Sequence, residues 1–202
     1  LRTPMHAILS FSNMGYSRLH KVDLDKLGHY FDRIRRGGDR LLLFLNDLLD
    51  LSKLESGKME FLMQQGNLVD TINRAIQEVE TLITDRELTV VIESTDLNTI
   101  TYFDTEKMLQ VFINLLSNAI KFTPIGKQIT IFFDPHVSVK NQAHRKEIDL
   151  LTVVVDDQGS GIPLGEEITI FDKFIQSSNT NTGAGGTGLG LSIVQEIITA
   201  HN

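Results

Sequence analysis

The 202-residue sequence contains no cysteine, which removes disulfides, thiolate nucleophiles and cysteine-ligated zinc together and fits a reducing compartment. It has no excess of basic residues: 19 Lys and Arg stand against 26 Asp and Glu, a net charge of −7. Phosphate-backbone binding wants a basic surface, so nucleic acid is excluded as the main partner. Long hydrophobic runs are missing too. The longest, Leu41 to Leu51, is broken by Asn46, Asp47 and Asp50 and cannot span a bilayer. No signal peptide, internal repeat or low-complexity tract is visible. What is present, 41% hydrophobic and 22% charged residues, is an ordinary globular composition with room for one large domain or two modest ones.

The chain divides near residue 57. Apolar residues at Leu24, Leu27, Phe31, Ile34, Leu41, Leu45 and Leu48 follow a heptad seam interrupted at Gly38. A helix from Val22 to Leu54 on that seam is roughly 50 Å long at about 1.5 Å per residue. A looser stripe, Met5, Ile8 and Leu19, makes Leu1 to Leu19 a second helix, and the short link at His20 to Asp23 makes the two antiparallel. Two helices enclose no core, so a pair of hairpins forming a four-helix bundle is expected. Gly57 caps the long helix. Beyond it the pattern is mixed: a helix over 68–83, a strand over 88–92, and a helix from Asp104 as N-cap to Phe122. Strands over 129–133 and 149–155 flank a polar loop at 140–146, and a last helix follows Gly190. The expectation is an α+β chain, a helical hairpin followed by a two-layer α/β sandwich.

Three segments carry chemistry. Asn114, Asn118 and Lys121 share one face of a helix that Val111, Phe112, Leu115, Leu116 and Ile120 make apolar almost all round. They are satisfied core amides or a site for a hard cation and phosphates. Asp157-Gln-Gly159-Ser-Gly161 follows a β-branched strand. It is an ordinary glycine turn, or a place where backbone passes close to a flat ligand and Asp157 accepts a hydrogen bond from an exocyclic amine such as that of adenine. Gly183 to Gly190 holds five glycines and feeds an apolar helix: a flexible linker, or an anion site at a helix N-terminus. It lacks the Gly-Lys-Ser/Thr of a Walker loop and the preceding strand of a Rossmann fingerprint.

In this order the segments resemble the sensor histidine kinases of two-component signalling, over almost the whole chain. Asn114-Leu-Leu-Ser-Asn118-Ala-Ile-Lys121-Phe122-Thr is similar to that family's N box, and Asp157 to Gly161 to its first glycine box. Phe171-Asp-Lys-Phe174 is similar to the F box, and Gly186-Thr187-Gly188-Leu189-Gly190-Leu191 to the second glycine box. Leu1-Arg2-Thr3-Pro4-Met5 resembles the tail of the phosphoacceptor motif His-Glu-Leu-Arg-Thr-Pro-Leu/Met. The motif's histidine then falls two residues before Leu1, outside this sequence, and His6 does not replace it. His20, His29, His136, His144 and His201 have no partner visible in sequence and are read as surface or packing residues.

The resemblance implies residues 1–57 as a dimerisation and phosphotransfer hairpin cut at its N-terminus, and residues 58–202 as a Bergerat-type ATP-binding domain lacking its last strand. It implies Mg²⁺ on Asn118 with Asn114 beside it, phosphates on Lys121, and the adenine amine on Asp157. It also implies a base flanked by Phe122 and Ile162, and an ATP lid from about Lys173 to Thr187. Thr3 takes the position where the family often orients water for dephosphorylating its partner. The implied activity is ATP-dependent histidine phosphorylation followed by transfer to an aspartate of a response-regulator receiver domain, in the cytoplasm, by a homodimer. Two rivals remain: a non-catalytic dimeric regulator, against which both glycine boxes speak, and a gyrase/Hsp90-like ATPase. The latter carries a glutamate base where this chain has Asn114. The cluster Arg33, Arg35, Arg36 and Arg40 is a solvated helix face. Gly37-Gly38 costs roughly 1 kcal/mol per glycine relative to alanine, and a turn centred near residue 21 sets Gly38 level with Pro4, a soft point in the hairpin.

Overall fold

The computed structural model describes residues 2–18, 22–134, 138–140, 147–149, 151–177 and 187–201. Leu1, His20, His136, His144, Asn202, the loop 141–146, and residues 178–186 of the expected lid, Gly186 among them, lie outside the described residues. The chain falls into two compact units, 1–59 and 60–202. Among the described residues no helix is long and apolar enough to cross a membrane.

In the first unit α1 (Arg2–Ser17) packs along α2 (Leu24–Glu55). Asp23 is extended and its carboxylate accepts from the Lys26 N–H at 2.8 Å, an N-cap that typically contributes about 1 kcal/mol. The other end closes through Gly57 at φ 63°, whose N–H donates to the Leu54 carbonyl at 3.0 Å. The Lys58 N–H donates to the Lys53 carbonyl, also at 3.0 Å. Those are the two bonds of a Schellman cap, and the left-handed φ is why glycine stands there.

The expected seam divides between two faces of α2. Leu27, Ile34 and Leu41 are half-buried, in line with the buried Tyr30 and Gly37, in steps of three and four. Leu24, Phe31, Leu45 and Leu48 are exposed instead, together with Leu42 and Leu49. A helix that meets one neighbour inside its hairpin and carries apolar residues for another needs two adjacent stripes, and a single 3–4 count merges them. The expected level of Gly38 with Pro4 is likewise corrected: a Cβ on Gly38 would meet nothing within 4 Å. It is Gly37 whose added Cβ would stand 2.8 Å from Ile8 Cγ1 and 3.3 Å from the Pro4 carbonyl oxygen. This glycine lets the helices approach. The arginine cluster is a solvated face: Arg35 and Arg36 pair with Asp32, and Arg35 also with Asp39. The Arg35 hydrogen bond holds the Asp32 carboxyl below its usual range.

In the second unit β1 (Gln64–Asn67) pairs antiparallel with β3 (Ile100–Phe103). β2 (Thr89–Ile92) runs parallel to β4 (Gln128–Asp134), which pairs antiparallel with β7 (Thr152–Asp157), giving the order β2-β4-β7. β5 (Ser138–Lys140) and β6 (Glu147–Asp149) form a separate ribbon. Along β4 the pleat alternates, burying Ile129, Ile131 and Phe133. α5 (Thr105–Phe122) packs against β7, α3 (Leu68–Glu78) and α6 (Gly190–Ala200), so Leu116, Ile72, Ile193 and Ile197 meet the core fully buried. This is the α+β layering expected. The single helix expected over 68–83 is two, α3 and α4 (Glu80–Asp85). Val79, buried between them at φ −105° and ψ 9°, shares its N–H between the Ala75 and Ile76 carbonyls.

α5 starts in a closed polar knot. The Asp104 carboxylate accepts from the Lys107 N–H at 3.0 Å and from the Leu62 N–H at 2.8 Å. Burial alone would raise this carboxyl, but the backbone donors, Lys107 foremost, outweigh it and hold it below its usual value. The Asp104 N–H donates to His201 Nε2 at 3.0 Å, while His201 Nδ1 bonds the Ile197 carbonyl at 2.8 Å. His201 therefore carries its proton on Nδ1, and it ties α6 to the start of α5 with Phe61 edge-on to its ring. The expectation of an ordinary surface or packing histidine is corrected accordingly. His201→Ala leaves the Asp104 N–H unpaired and should cost about 1–3 kcal/mol. Chemical denaturation of the wild-type and variant chains, compared at constant m, reads that loss.

Candidate functional site

α5 brings the first set of expected residues together. Asn114, Asn118 and Lys121 are half-buried, and among the described residues no hydrogen bond or ion pair occupies their side chains. Burial lowers the Lys121 ammonium below its ordinary range, so this cation lacks solvation that a negative group would restore. Its Nζ lies 4.8 Å from the centroid of the Phe122 ring. Thr123, next along the chain, is fully buried with its Oγ1 unpartnered. An apolar helix exposing two free amides and a desolvated ammonium on one side is more than core packing requires.

Two glycine segments approach this face at its two ends. At the first, Asp157 at the end of β7 accepts from the Gly159 N–H through Oδ1 at 2.8 Å, an Asx turn. A Cβ on Gly159 would stand 2.5 Å from that Oδ1 and 3.0 Å from the Phe122 carbonyl oxygen. Gly161 follows at φ 69°, and Ile162 is half-exposed beyond it. At the second, Gly190 opens α6, and a Cβ there would lie 3.4 Å from Asn114 Oδ1. Leu189 before α6 offers no side-chain cap, so among the described residues no side chain satisfies the first N–H groups of that helix. From residue 114 to 122 α5 rises about 12 Å, at about 1.5 Å per residue, room for an elongated ligand.

The F-box segment joins the second glycine segment through backbone. Phe171 lies in a 3-10 turn (Thr169–Phe171), and the Phe174 N–H donates to the Gly188 carbonyl at 2.9 Å. Gly188 sits at φ 71°, where a Cβ would press within 2.9 Å of the Phe174 backbone. Thr187 Oγ1 accepts from the Leu189 N–H at 3.2 Å, Leu189 is fully buried, and Leu191 is half-buried in the first turn of α6. Thr3 is exposed in the first turn of α1, in the other unit.

The donor set fits a nucleotide with a divalent cation. Amide oxygens suit a hard ion, the ammonium and the N–H groups of a helix N-terminus suit phosphates, and Oδ2 of Asp157 suits an amine. Among the described residues no group of three or more His, Cys, Asp or Glu side chains could hold a metal, so amides are the candidate ligands. One residue that no sequence motif marks adjoins this face: Arg86, whose Nη1 donates to the Ile120 carbonyl at 2.9 Å and the Lys121 carbonyl at 2.6 Å. Its one sequence signal is Pro124, which leaves the end of α5 short of a donor.

Comparison with known proteins shows what each part of the chain is similar to. Residues 1–57 match the His Kinase A (phospho-acceptor) domain model, and residues 103–202 match the model for histidine kinase-, DNA gyrase B- and HSP90-like ATPases. The autoinducer 2 sensor kinase/phosphatase LuxQ of Vibrio harveyi is 33% identical over 98% of the chain, which covers 22% of LuxQ. The histidine protein kinase DivJ of Caulobacter vibrioides is 32% identical over the whole chain, which covers 32% of DivJ. The chain thus spans less than a third of the length of these curated relatives. Histidine kinase ThkA, solved in complex with the response regulator protein TrrA, shares the fold at a TM-score of 0.71 and 23% identity, over 98% of this chain and 51% of that one.

Proposed function

Since the chain belongs to the sensor histidine kinases, as the catalytic core of that family, we propose that it binds ATP·Mg²⁺ on the α5 face and passes the γ-phosphate to a histidine imidazole on the hairpin. The observation that carries this reading is the unsatisfied face itself: Asn114, Asn118 and the desolvated Lys121, bracketed by Gly159 at one end and Gly190 at the other. Asp157 with Gly159 and Gly161 reads the adenine amine, Phe122 and Ile162 flank the base, and Lys121 and the α6 N-terminus hold phosphates. Phe171, Phe174 and residues 187–191 anchor the second glycine segment. Mg²⁺, held by Asn118 with Asn114 beside it, supplies neutralisation of phosphate charge. The protein's own contribution to such transfer is mostly positioning.

The acceptor is the histidine of the phosphoacceptor motif whose tail Leu1 to Met5 resembles, and the phosphoryl group then goes to the aspartate of a receiver domain, as ThkA's complex with a response regulator supports. Thr3, exposed on α1, orients the water that hydrolyses the receiver's phospho-aspartate to aspartate and inorganic phosphate, the opposing phosphatase step, in keeping with LuxQ's name of kinase/phosphatase. Two hairpins pair through the exposed apolar stripe of α2, so the unit working in the cytoplasm is a homodimer. Residues 1–57 form the phosphotransfer domain and 58–202 the ATP-binding domain.

Asn118→Ala should weaken binding of ATP with Mg²⁺ several-fold more than binding of ATP without it. Calorimetry with Mg²⁺ and with chelator makes the comparison, and an equal loss in both conditions would move the cation off Asn118.

A further inference from the structure

The last turn of α5 ends in a donor deficit. In a continuing helix the Ile120 carbonyl would accept from the N–H of residue 124, but residue 124 is proline and has none. The helix stops at Phe122, and the Thr123 N–H makes the final bond to Ala119, at 2.9 Å. The carbonyls of Ile120 and Lys121 are thereby orphaned at the negative end of the dipole, a place that favours a cation. Arg86 fills it. Its half-buried guanidinium Nη1 meets both oxygens, and its own carbonyl accepts the Gly126 N–H at 3.2 Å, so the turn after α5 is clipped from both sides.

Lys121 and Phe122 belong to that same turn, and the Phe122 carbonyl is the group against which Gly159 is fitted. We propose that Arg86 is a positioning residue of the nucleotide site: it replaces the donor Pro124 removes and so fixes Lys121 toward phosphates and Phe122 toward the base. The inference rests on the reading of the α5 face as the nucleotide site. Arg86 itself is bonded to backbone and acts through Lys121 and Phe122.

Arg86→Met keeps the apolar stem and removes the donors. ATP affinity should fall about 10-fold, the lower end of the roughly 10- to 100-fold that loss of a partner behind a metal ligand costs at metal sites. Three comparisons separate positioning from general destabilisation. Arg86→Lys, which retains charge and donors, should recover most of the loss. Pro124→Ala, which returns an N–H to position 124, should partly rescue Arg86→Met. Arg86→Met added to Lys121→Met should cost much less than it costs alone, because the two act as one unit. If Arg86→Met does not fold, the Arg86→Met/Pro124→Ala double variant takes its place: folding with at least part of the wild-type affinity restored supports the inference, and failure to fold overturns it. Wild-type binding of ATP with unchanged binding by Arg86→Met overturns the inference alone. Strict additivity of Arg86→Met with Lys121→Met does the same. A wild-type chain that binds no ATP overturns the nucleotide reading and the inference together.

Discussion

Asp157→Ala should lower ATP affinity by about 10- to 100-fold, since a hydrogen bond to a charged group is worth about 1.5–3 kcal/mol and about 1.4 kcal/mol is tenfold. The carboxylate has two tasks. Oδ1 holds the Gly159 N–H at 2.8 Å and so shapes the turn that passes beneath the Phe122 carbonyl. On the proposed reading Oδ2, which accepts no hydrogen bond among the described residues, receives the exocyclic amine. Asp157→Asn separates them, because an amide oxygen can keep the turn while the amide N–H₂ opposes a ligand amine. Asn should therefore bind ATP nearly as poorly as Ala, yet keep the wild-type melting temperature. Calorimetry and thermal denaturation on the three chains decide it, and unchanged affinity in Asp157→Ala would remove Asp157 from the site.

Leu42→Asp combined with Leu49→Asp should convert the proposed dimer to monomers. The two residues are 61% and 59% exposed and lie seven apart, on the stripe that also carries Phe31 and Leu45. Burying each leucine contributes roughly 1.5–3 kcal/mol, and a dimer buries every one twice. An aspartate pair reverses the sign of those terms and sets like charges across the two-fold axis. The same change on the inward stripe, at Leu27 or Leu41, should unfold the hairpin instead. Light scattering distinguishes the cases, and ATP binding by the second unit should persist in the monomer. A dimer of unchanged mass would place the interface on another surface.

Much of the site was legible because its signals are local. Asp104 announces the start of α5 by its own side chain, and the spacing of Asn114, Asn118 and Lys121 puts them on one face whatever the tertiary fold. Gly57 marks a helix end for a reason confined to its own φ. What escaped depends on distance or on merged patterns. His201 reaches Asp104 across 97 residues, with no pattern at either end to join them. The pairing of Arg86 with Ile120 and Lys121 spans 34 and 35 residues, and only Pro124 hints that a donor is needed. β1 is the polar string Gln64–Asn67, without the apolar alternation that marks a strand, and is fixed by its partner β3. α2 carries two apolar stripes, and one heptad count ran across both.

The most direct test of the account is phosphate transfer to the upstream histidine. The chain extended by its natural residues through the phosphoacceptor motif is incubated with labelled ATP and Mg²⁺, then treated with acid and with base. The account predicts acid-labile, alkali-stable label that disappears when that upstream histidine is replaced by glutamine and survives His6→Gln. The 202-residue chain alone should bind ATP and take no such label. Label on the 202-residue chain that His6→Gln abolishes, or none on the extended chain while it binds ATP, would contradict the account.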